Sequence, residues 1–159
     1  MSGDSCIAAN DVQNEAKKEI SRRHVRALIF HVLYMSEAWN YESSVEAIID
    51  NLNRGFDTDI TFEGDIAIIS SGVISARDEL DAAMKPLLAH WRIERLGMCT
   101  RLILRLAIWE YLHTDTVPEI IINEAIQLAK CFAEKDAYGF INGVLDELVE
   151  RDRKNVAEE

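Results

Sequence analysis

Apolar residues recur at intervals of three and four along most of the chain, and this spacing is typical of amphipathic helices. In the first such stretch, residues 20–39, the apolar positions share one helical face. They are Val25, Leu28, Ile29, Val32 and Leu33. No run of alternating apolar and polar residues is long enough to predict a strand. The pattern therefore predicts an all-α protein.

Capping and helix-breaking residues delimit the next two predicted helices. The second helix is predicted over 44–53, with Ser43 or Ser44 as its N-cap. One long third helix is predicted over 61–84, because its apolar seam continues without a break until Pro86.

Four helical segments are predicted in the second half of the chain. A short one covers 86–95, and a strongly apolar one covers 99–112, whose apolar residues on several faces predict a central position. The next covers 118–132 and begins with a proline, which suits the first turn of a helix. The last covers 136–152, with Asp136 as its N-cap.

The length of 159 residues suits one globular domain, and no proline- or glycine-rich linker divides the chain. We expect residues 1–19 to form a flexible N-terminal extension, residues 20–153 a helical domain and residues 154–159 a tail. The sequence contains neither a signal peptide nor a stretch of about 18 uninterrupted apolar residues. We therefore expect a cytoplasmic protein without a membrane partner.

Charged residues are distributed unevenly around a formal net charge of −11. Between Glu37 and Asp81, the acidic middle segment, eleven acidic residues face two basic ones. Two basic stretches, 17–26 and 85–105, each hold five basic residues and one acidic residue. The acidic total opposes non-specific binding to nucleic acid, whereas a local basic face attracts phosphate within a Debye length of roughly 8 Å.

Motifs of catalytic, metal and cofactor sites are missing from the sequence. The four histidines include no pair at a spacing of four, and the three cysteines form no CxxC pair, so we expect no metal site. No GxSxG, GxxxxGK[ST] or GxGxxG sequence occurs. We therefore expect neither a cofactor nor enzymatic activity.

Three arginines, Arg22, Arg23 and Arg26, form a cationic ridge near the predicted start of the first helix. The helix macrodipole disfavours bases there, at a cost of a few tenths of a kcal/mol each when they are exposed. Two interpretations stay open. The ridge binds an external anion, for which phosphate is the commonest candidate, or it is a solvated face paired with acidic residues of the middle segment.

Aromatic and small residues each allow two interpretations. The tryptophans Trp39, Trp91 and Trp109 lie on or beside apolar seams, which favours anchoring in the core over a platform for base stacking. Gly139 and Gly143 interrupt the last helix, and each costs up to about 1 kcal/mol relative to alanine. Close packing against another helix is the favoured reason, and close approach of a ligand is the alternative.

The last third of the chain carries a family resemblance. The stretch from Pro118, PEIIINEAIQLAKCFAEKDAYGFINGVLDELV, resembles the C-terminal signature of the transcription antitermination factor NusB family, in which INEA, ELAK and FVNGVLD recur. RLILRLAIWEYL from Arg101 and SRRHVRALIFHVLY from Ser21 resemble two further segments of that family. Residues 40–85 match in helical pattern only.

This resemblance implies a fold and a function. The fold is a single all-α domain of two packed three-helix bundles. The function is binding of the single-stranded boxA element of nascent ribosomal RNA transcripts together with NusE, a ribosomal small-subunit protein that doubles as a transcription factor. The complex then acts on the elongating RNA polymerase through other Nus factors.

Site residues are also implied by the resemblance. By position, the residues implied to bind RNA are Arg22, Arg23, Arg26, Phe132, Asp136 and Phe140. Tyr34 matches a tyrosine near the partner surface for NusE. Single-stranded bases are recognised by aromatic stacking and edge hydrogen bonds, with basic side chains on the backbone. Asp136 has two open roles, because a carboxylate accepts a hydrogen bond from a base amino group or caps its own helix.

An alternative function belongs to another class. A NusB-like helical module can serve protein interaction or homodimer formation without binding RNA itself. A third possibility is the related helical domain that precedes some RNA cytosine methyltransferases, but the glycine-rich cofactor turn of those enzymes is missing here.

Overall fold

A computed structural model describes the backbone of residues 16–159 and the side chains of residues 22–159. This part of the chain contains helices and no strand, so the prediction of an all-α protein is confirmed. The α-helices are α1 (Ala16–Ala38), α2 (Val45–Phe56), α3 (Asp65–Ser75), α4 (Arg77–Met84), α5 (Met98–His113), α6 (Pro118–Phe132) and α7 (Ala137–Glu158). The predicted extension, residues 1–19, lies outside the described residues except for the helical backbone of 16–19.

The described part of the chain divides into two compact units, of which the first ends at Ser75 and the second begins at Ala76. In the first unit, α1, α2 and α3 pack against one another around one apolar cluster. Its buried members are Val32, Ile48, Ile49, Leu52, Ile60 and Ala67. Burial of each large aliphatic side chain contributes about 1.5–3 kcal/mol, so this cluster is the main source of stability in the unit.

Local side-chain hydrogen bonds fix both ends of α2. The hydroxyl oxygen of Ser44 accepts the N–H of Ala47 at 3.1 Å, which confirms one of the two predicted N-caps. At the other end Asp57 adopts a left-handed conformation with φ of 53°. The Asn53 side chain then holds the following loop, because it accepts the N–H of Ile60 at 2.8 Å and donates to the carbonyl of the same residue at 3.0 Å.

The single helix predicted over 61–84 is wrong. The chain forms two helices instead, α3 and α4, separated at Ala76, whose φ of −94° and ψ of 11° leave the helical region. The apolar spacing continues across this residue, so the sequence pattern does not reveal the break. The break coincides with the boundary between the two units.

The short helix predicted over 86–95 is also wrong. This segment contains two three-residue 3₁₀ turns, Lys85–Leu87 and Ile93–Arg95, with a loop between them. Leu87, Leu88 and Ile93 are buried and therefore anchor the loop at both ends.

In the second unit α5 is the central helix, as its apolar character predicts. It packs against α4, α6 and α7, and every residue from Leu102 to Ile108 is buried. One of these is Arg105, whose guanidinium donates two hydrogen bonds of 2.8 Å to the carboxylate of Asp81 on α4. This two-point ion pair joins α4 to α5.

The bounds of α6 match the prediction, whereas α7 continues beyond residue 152 to Glu158. Residues 154–158, expected to be a tail, form its last turn. An ion pair of 2.6 Å between Arg151 and Glu147 supports this end, as does a hydrogen bond of 2.7 Å from the Tyr111 hydroxyl to Asp152. No helix in the described part of the chain is long and apolar enough to cross a membrane.

Close packing does not explain the two glycines of α7. A Cβ atom built on Gly139 or Gly143 has no atom of the described residues within 4 Å, and both glycines are exposed. Within the described part of the chain, the favoured interpretation, close approach of another helix, is therefore wrong. Approach of a ligand stays a prediction.

Candidate nucleic-acid interface

The cationic ridge lies within α1 and not at its start. Because α1 begins at Ala16, Arg22 follows six residues later, beyond the first turn. The effect of the macrodipole falls off within the first turn, so the predicted cost of placing bases there does not apply. Arg22 and Arg23 are exposed, and Arg26 is half-buried.

A histidine pair follows the ridge on the same helix. Burial lowers the pKa of His31 below its usual value, and the positive charge of His24 lowers it further. The His31 and Phe30 rings meet edge to face at a centroid distance of 6.1 Å. The surroundings of His31 on α1 therefore disfavour its protonated form.

Tyr34 lies farther along α1, on the unit that carries the ridge. It is 40% exposed, and its ring packs against the Phe30 ring in a tilted arrangement, at a centroid distance of 6.3 Å. At 1.5 Å of rise per residue, Tyr34 is about 16 Å along the helix from Arg23. One helix thus carries two separate candidate contact points.

The three C-terminal candidates lie in the second unit, around the turn between α6 and α7. Phe132 ends α6 and is half-buried, and Phe140 lies in the first turn of α7 and is also half-buried. Asp136 takes the N-cap position in a left-handed conformation, with φ of 68°. Its side chain makes no capping hydrogen bond, so the capping interpretation is wrong.

Two of the tryptophans that were predicted to anchor the core are exposed. Trp91 is 59% exposed and Trp39 is 40% exposed, so neither is a core anchor. The indole of Trp91 and the Phe140 ring meet edge to face, at a centroid distance of 6.0 Å and an interplanar angle of 68°. The apolar seam favoured the wrong interpretation of Trp91, and its position within the basic stretch 85–105 is a sequence signal that could have favoured stacking.

The start of α5 is not an open anion site. The hydroxyl of Thr100 donates a hydrogen bond of 2.8 Å to the carboxylate of Glu134, and a Cβ on Gly97 would overlap that carboxylate. Glu134 therefore occupies the positive end of the α5 dipole. Burial, and secondarily the charge of Glu134, raise the pKa of the nearby Cys99 thiol.

The candidate residues fall into two groups, one in each unit. The ridge arginines and Tyr34 belong to the first unit, and the C-terminal candidates belong to the second. Among residues 22–159, no group of three or more histidine, cysteine or acidic side chains is arranged to hold a metal ion. The first group is therefore cationic and aromatic, whereas the second consists of two aromatic rings and one carboxylate.

The comparisons with known proteins agree with this arrangement of helices. The sequence model of the NusB family matches residues 19–150. The transcription antitermination protein NusB of Macrococcus caseolyticus is 36% identical over 129 residues, which cover 81% of this chain and 93% of the relative. The chain belongs to the NusB family.

Solved structures show the same NusB fold. NusB of T. maritima superposes with a TM-score of 0.71 and 28% identity, covering 81% of this chain and 90% of that protein. A chain from the crystal structure of antitermination factors NusB and NusE in complex with dsRNA superposes with a TM-score of 0.68, covering 82% and 96%. At 22% identity this second likeness concerns the fold alone.

Proposed function

We propose that this NusB-family chain is a non-enzymatic transcription antitermination factor. It binds the boxA element of nascent ribosomal RNA transcripts together with NusE, and acts on elongating RNA polymerase through other Nus factors. The observation that carries the proposal is the extent of the match, because 36% identity spans 93% of an antitermination protein.

The cationic ridge supplies the contacts to the RNA backbone. Arg22 and Arg23 are exposed on α1, and Arg26 lies one turn after Arg22. Guanidinium groups bind phosphate oxygens with paired hydrogen bonds. Such contacts position a nucleic acid and carry no sequence information themselves.

Side chains of the second unit supply the contacts to bases. Phe132 and Phe140 offer partly exposed rings for stacking. The exposed carboxylate of Asp136 is not used as a helix cap, so it is available to accept a hydrogen bond from a base amino group. This combination suits splayed single-stranded RNA better than a duplex.

NusE binds the first unit at Tyr34 and the acidic residues that follow it. Ribosomal proteins are basic, so a field of exposed carboxylates attracts such a partner. The exposed members of that field in this unit are Glu42, Glu46, Asp57, Asp59, Glu63 and Asp65. Asp81 does not contribute, because it pairs with Arg105 in the second unit.

The ridge is tested by measuring the salt dependence of boxA binding with NusE at saturation. The slope of log K against log salt is negative, and each lost phosphate contact reduces its magnitude by about 0.7. Arg22→Ala/Arg23→Ala/Arg26→Ala should therefore reduce the magnitude by about 2. The matched control removes three exposed charges of α7 through Arg151→Ala/Arg153→Ala/Lys154→Ala. Its slope should stay at the wild-type value.

Two outcomes would contradict parts of the proposal. If circular dichroism shows that the ridge variant is folded, and its affinity and salt slope are unchanged, the ridge is only a solvated face. Equal binding of boxA and a scrambled RNA by the wild type, with and without NusE, would reject the RNA function as a whole.

One observation favours the alternative function, a module for protein interaction or dimerisation. The first unit exposes large apolar side chains, among them Phe56 at 74%, Phe62 at 50% and Ile68 at 58%. Exposed apolar surface of this kind marks contact sites when it is contiguous. Sedimentation of the chain alone and with NusE measures the mass of each species. It distinguishes a homodimer formed through this surface from a monomer whose surface binds NusE.

A further inference from the structure

The loop between the two 3₁₀ turns holds a large aromatic ring in solvent. Trp91 is 59% exposed, although Leu88 and Ile93 on either side of it are 2% and 7% exposed. The backbone N–H of Trp91 donates a hydrogen bond of 2.9 Å to the carbonyl of Leu88, and Ala89 adopts a left-handed conformation with φ of 52°. The loop is thus anchored at both ends while it presents Trp91 outward.

Phe140 supports this ring from α7. The two rings meet edge to face, with centroids 6.0 Å apart and planes at 68°. Such a contact restrains the indole without covering it, as the high exposure of Trp91 shows. Because a restrained ring loses little conformational entropy when a ligand stacks on it, the contact preorganises a stacking surface.

Basic side chains surround the exposed ring. His90, Trp91, Arg92 and Arg95 line an open cavity of about 520 Å³, which is within the usual range for ligand sites. Among residues 22–159, no acidic side chain forms an ion pair with Arg92 or Arg95. Glu94 is also exposed in this turn, but the two guanidinium groups outnumber it, so the loop attracts anions locally within a chain of net charge −11.

We propose that His90, Trp91, Arg92 and Arg95 form a stacking site for single-stranded RNA, here named the Trp91 platform. The indole stacks on one base, Arg92 and Arg95 contact the flanking phosphates, and Phe140, already proposed to stack on a base, also restrains the indole. An aromatic face bordered by cations is the arrangement with which proteins hold single strands. The inference rests on the proposed function and extends the RNA surface from α7 onto this loop.

Stacking is tested by fluorescence-anisotropy titration of labelled boxA RNA with NusE at saturation. Trp91→Leu keeps an apolar side chain but loses the planar face, and it should weaken binding by about 5- to 150-fold. Trp91→Phe keeps an aromatic face and should retain most of the affinity. Because the ring is exposed, both variants should keep the wild-type circular dichroism spectrum.

Phosphate contact is tested by the salt slope. Arg92→Ala/Arg95→Ala should reduce the magnitude of the negative slope of log K against log salt by about 1.4, since each lost contact contributes about 0.7. The matched control Arg151→Ala/Arg153→Ala removes two exposed cations of the same unit and should leave the slope unchanged.

Direct contact is tested by intrinsic fluorescence. The chain has three tryptophans, so Trp39→Phe/Trp109→Phe leaves Trp91 as the single indole. Stacking of a base on that indole should quench its emission in a saturable way, with the dissociation constant found by anisotropy. Emission that does not change at saturating RNA would overturn the proposal.

The outcomes separate this inference from the function on which it rests. If the wild type binds boxA and Trp91→Leu binds it equally well, the platform is wrong and the function stands. If the wild type does not discriminate boxA with or without NusE, both are wrong. If Trp91→Leu weakens NusE binding in the absence of RNA and leaves RNA affinity unchanged, the loop is a protein contact and the platform is overturned.

Discussion

At the scale of single residues, the surroundings of a charge decide its effect. Asp81 belongs to the acidic middle segment by sequence, yet its carboxylate neutralises Arg105, whose side chain is 8% exposed. Asp50 belongs to the same segment and pairs with Arg54 in solvent. Removal of the carboxylate takes a two-point ion pair from a buried guanidinium in the first case, and a single ion pair from a hydrated guanidinium in the second.

We therefore predict unequal costs for two similar substitutions. Asp81→Ala should lower the free energy of unfolding by about 3 kcal/mol, because it leaves the Arg105 guanidinium buried without its carboxylate. Asp50→Ala should lower it by less than about 1 kcal/mol, since that pair is exposed. Urea unfolding of both variants measures the difference, and equal midpoints would refute it.

A second prediction at this scale concerns acid stability. The pKa of His31 is lowered in the folded chain, first by burial and then by His24. The unfolded chain protonates His31 near pH 6.5, so it binds more protons than the folded chain below that pH. The stability contributed by neutral His31 should therefore decline as pH falls below about 6.5.

Thermal unfolding between pH 5 and pH 8 measures this effect. His31→Gln cannot titrate at that position, so its Tm should fall less than that of the wild type on acidification. His24→Gln removes the second cause of the shift and should give an intermediate result. Parallel Tm curves for all three proteins would show that His31 is not responsible.

At the scale of secondary-structure elements, α7 contains two glycines that its packing does not require. Gly143 is exposed and has open space where a Cβ would lie, so it carries the helix cost of glycine without a contact in return. At Gly97, before α5, a Cβ would overlap the Glu134 carboxylate. The same substitution is therefore expected to act differently at the two positions, because only the one at Gly97 displaces a side chain.

We predict that Gly143→Ala raises the free energy of unfolding by roughly 0.5–1 kcal/mol, while Gly97→Ala lowers it by displacing Glu134. Denaturant unfolding measures both effects. A stabilised Gly143→Ala variant that binds boxA RNA less tightly would support the remaining interpretation, in which a ligand approaches this stripe. A destabilised variant would contradict the open space around Gly143.

At the scale of the whole molecule, the net charge of −11 opposes a polyanion at long range. The cationic ridge and the Trp91 platform act against this field only locally, within a Debye length of roughly 8 Å. A basic partner on the acidic middle segment would reduce the repulsion and add its own contacts to the same RNA. The two ligands are therefore expected to bind cooperatively.

We predict that boxA RNA binds weakly to this chain alone and about 5- to 150-fold more tightly with NusE, a coupling of about 1–3 kcal/mol. The coupling must be reciprocal, so RNA should raise the affinity for NusE by the same factor. Titrations at one fixed salt concentration, started from each ligand, measure both factors. Equal dissociation constants with and without NusE would contradict it.

The acidic field also predicts how fast NusE associates. Electrostatic attraction raises the association rate at low ionic strength and is screened by salt, with a smaller effect on dissociation. Stopped-flow association rates should therefore fall as salt rises, and less steeply for Glu42→Gln/Glu46→Gln. Rates that do not depend on salt would remove the acidic segment from the NusE surface.

Features that depend on neighbours in sequence could be predicted from the sequence alone. The Pro118 start of α6 and the Ser44 cap of α2 follow from fixed backbone angles and from hydrogen bonds spanning three residues. The helical class followed from apolar spacing, and the family from matched segments. The RNA and NusE residues rest on that resemblance and on their exposure, so they stay predictions.

Features that depend on residues far apart in the chain were decided by the tertiary structure. Apolar spacing did not reveal the break at Ala76, because the pattern of three and four continues through it. Hydrophobicity placed Trp91 in a core, but Leu88 and Ile93 already anchor the loop and the indole lies outside against Phe140. By sequence, Asp81 is one of the acidic residues of the middle segment, but in the folded chain its carboxylate pairs with Arg105. Burial and ion pairing depend on which segments contact each other in the folded chain. The sequence pattern predicts such contacts only between residues that are close in sequence.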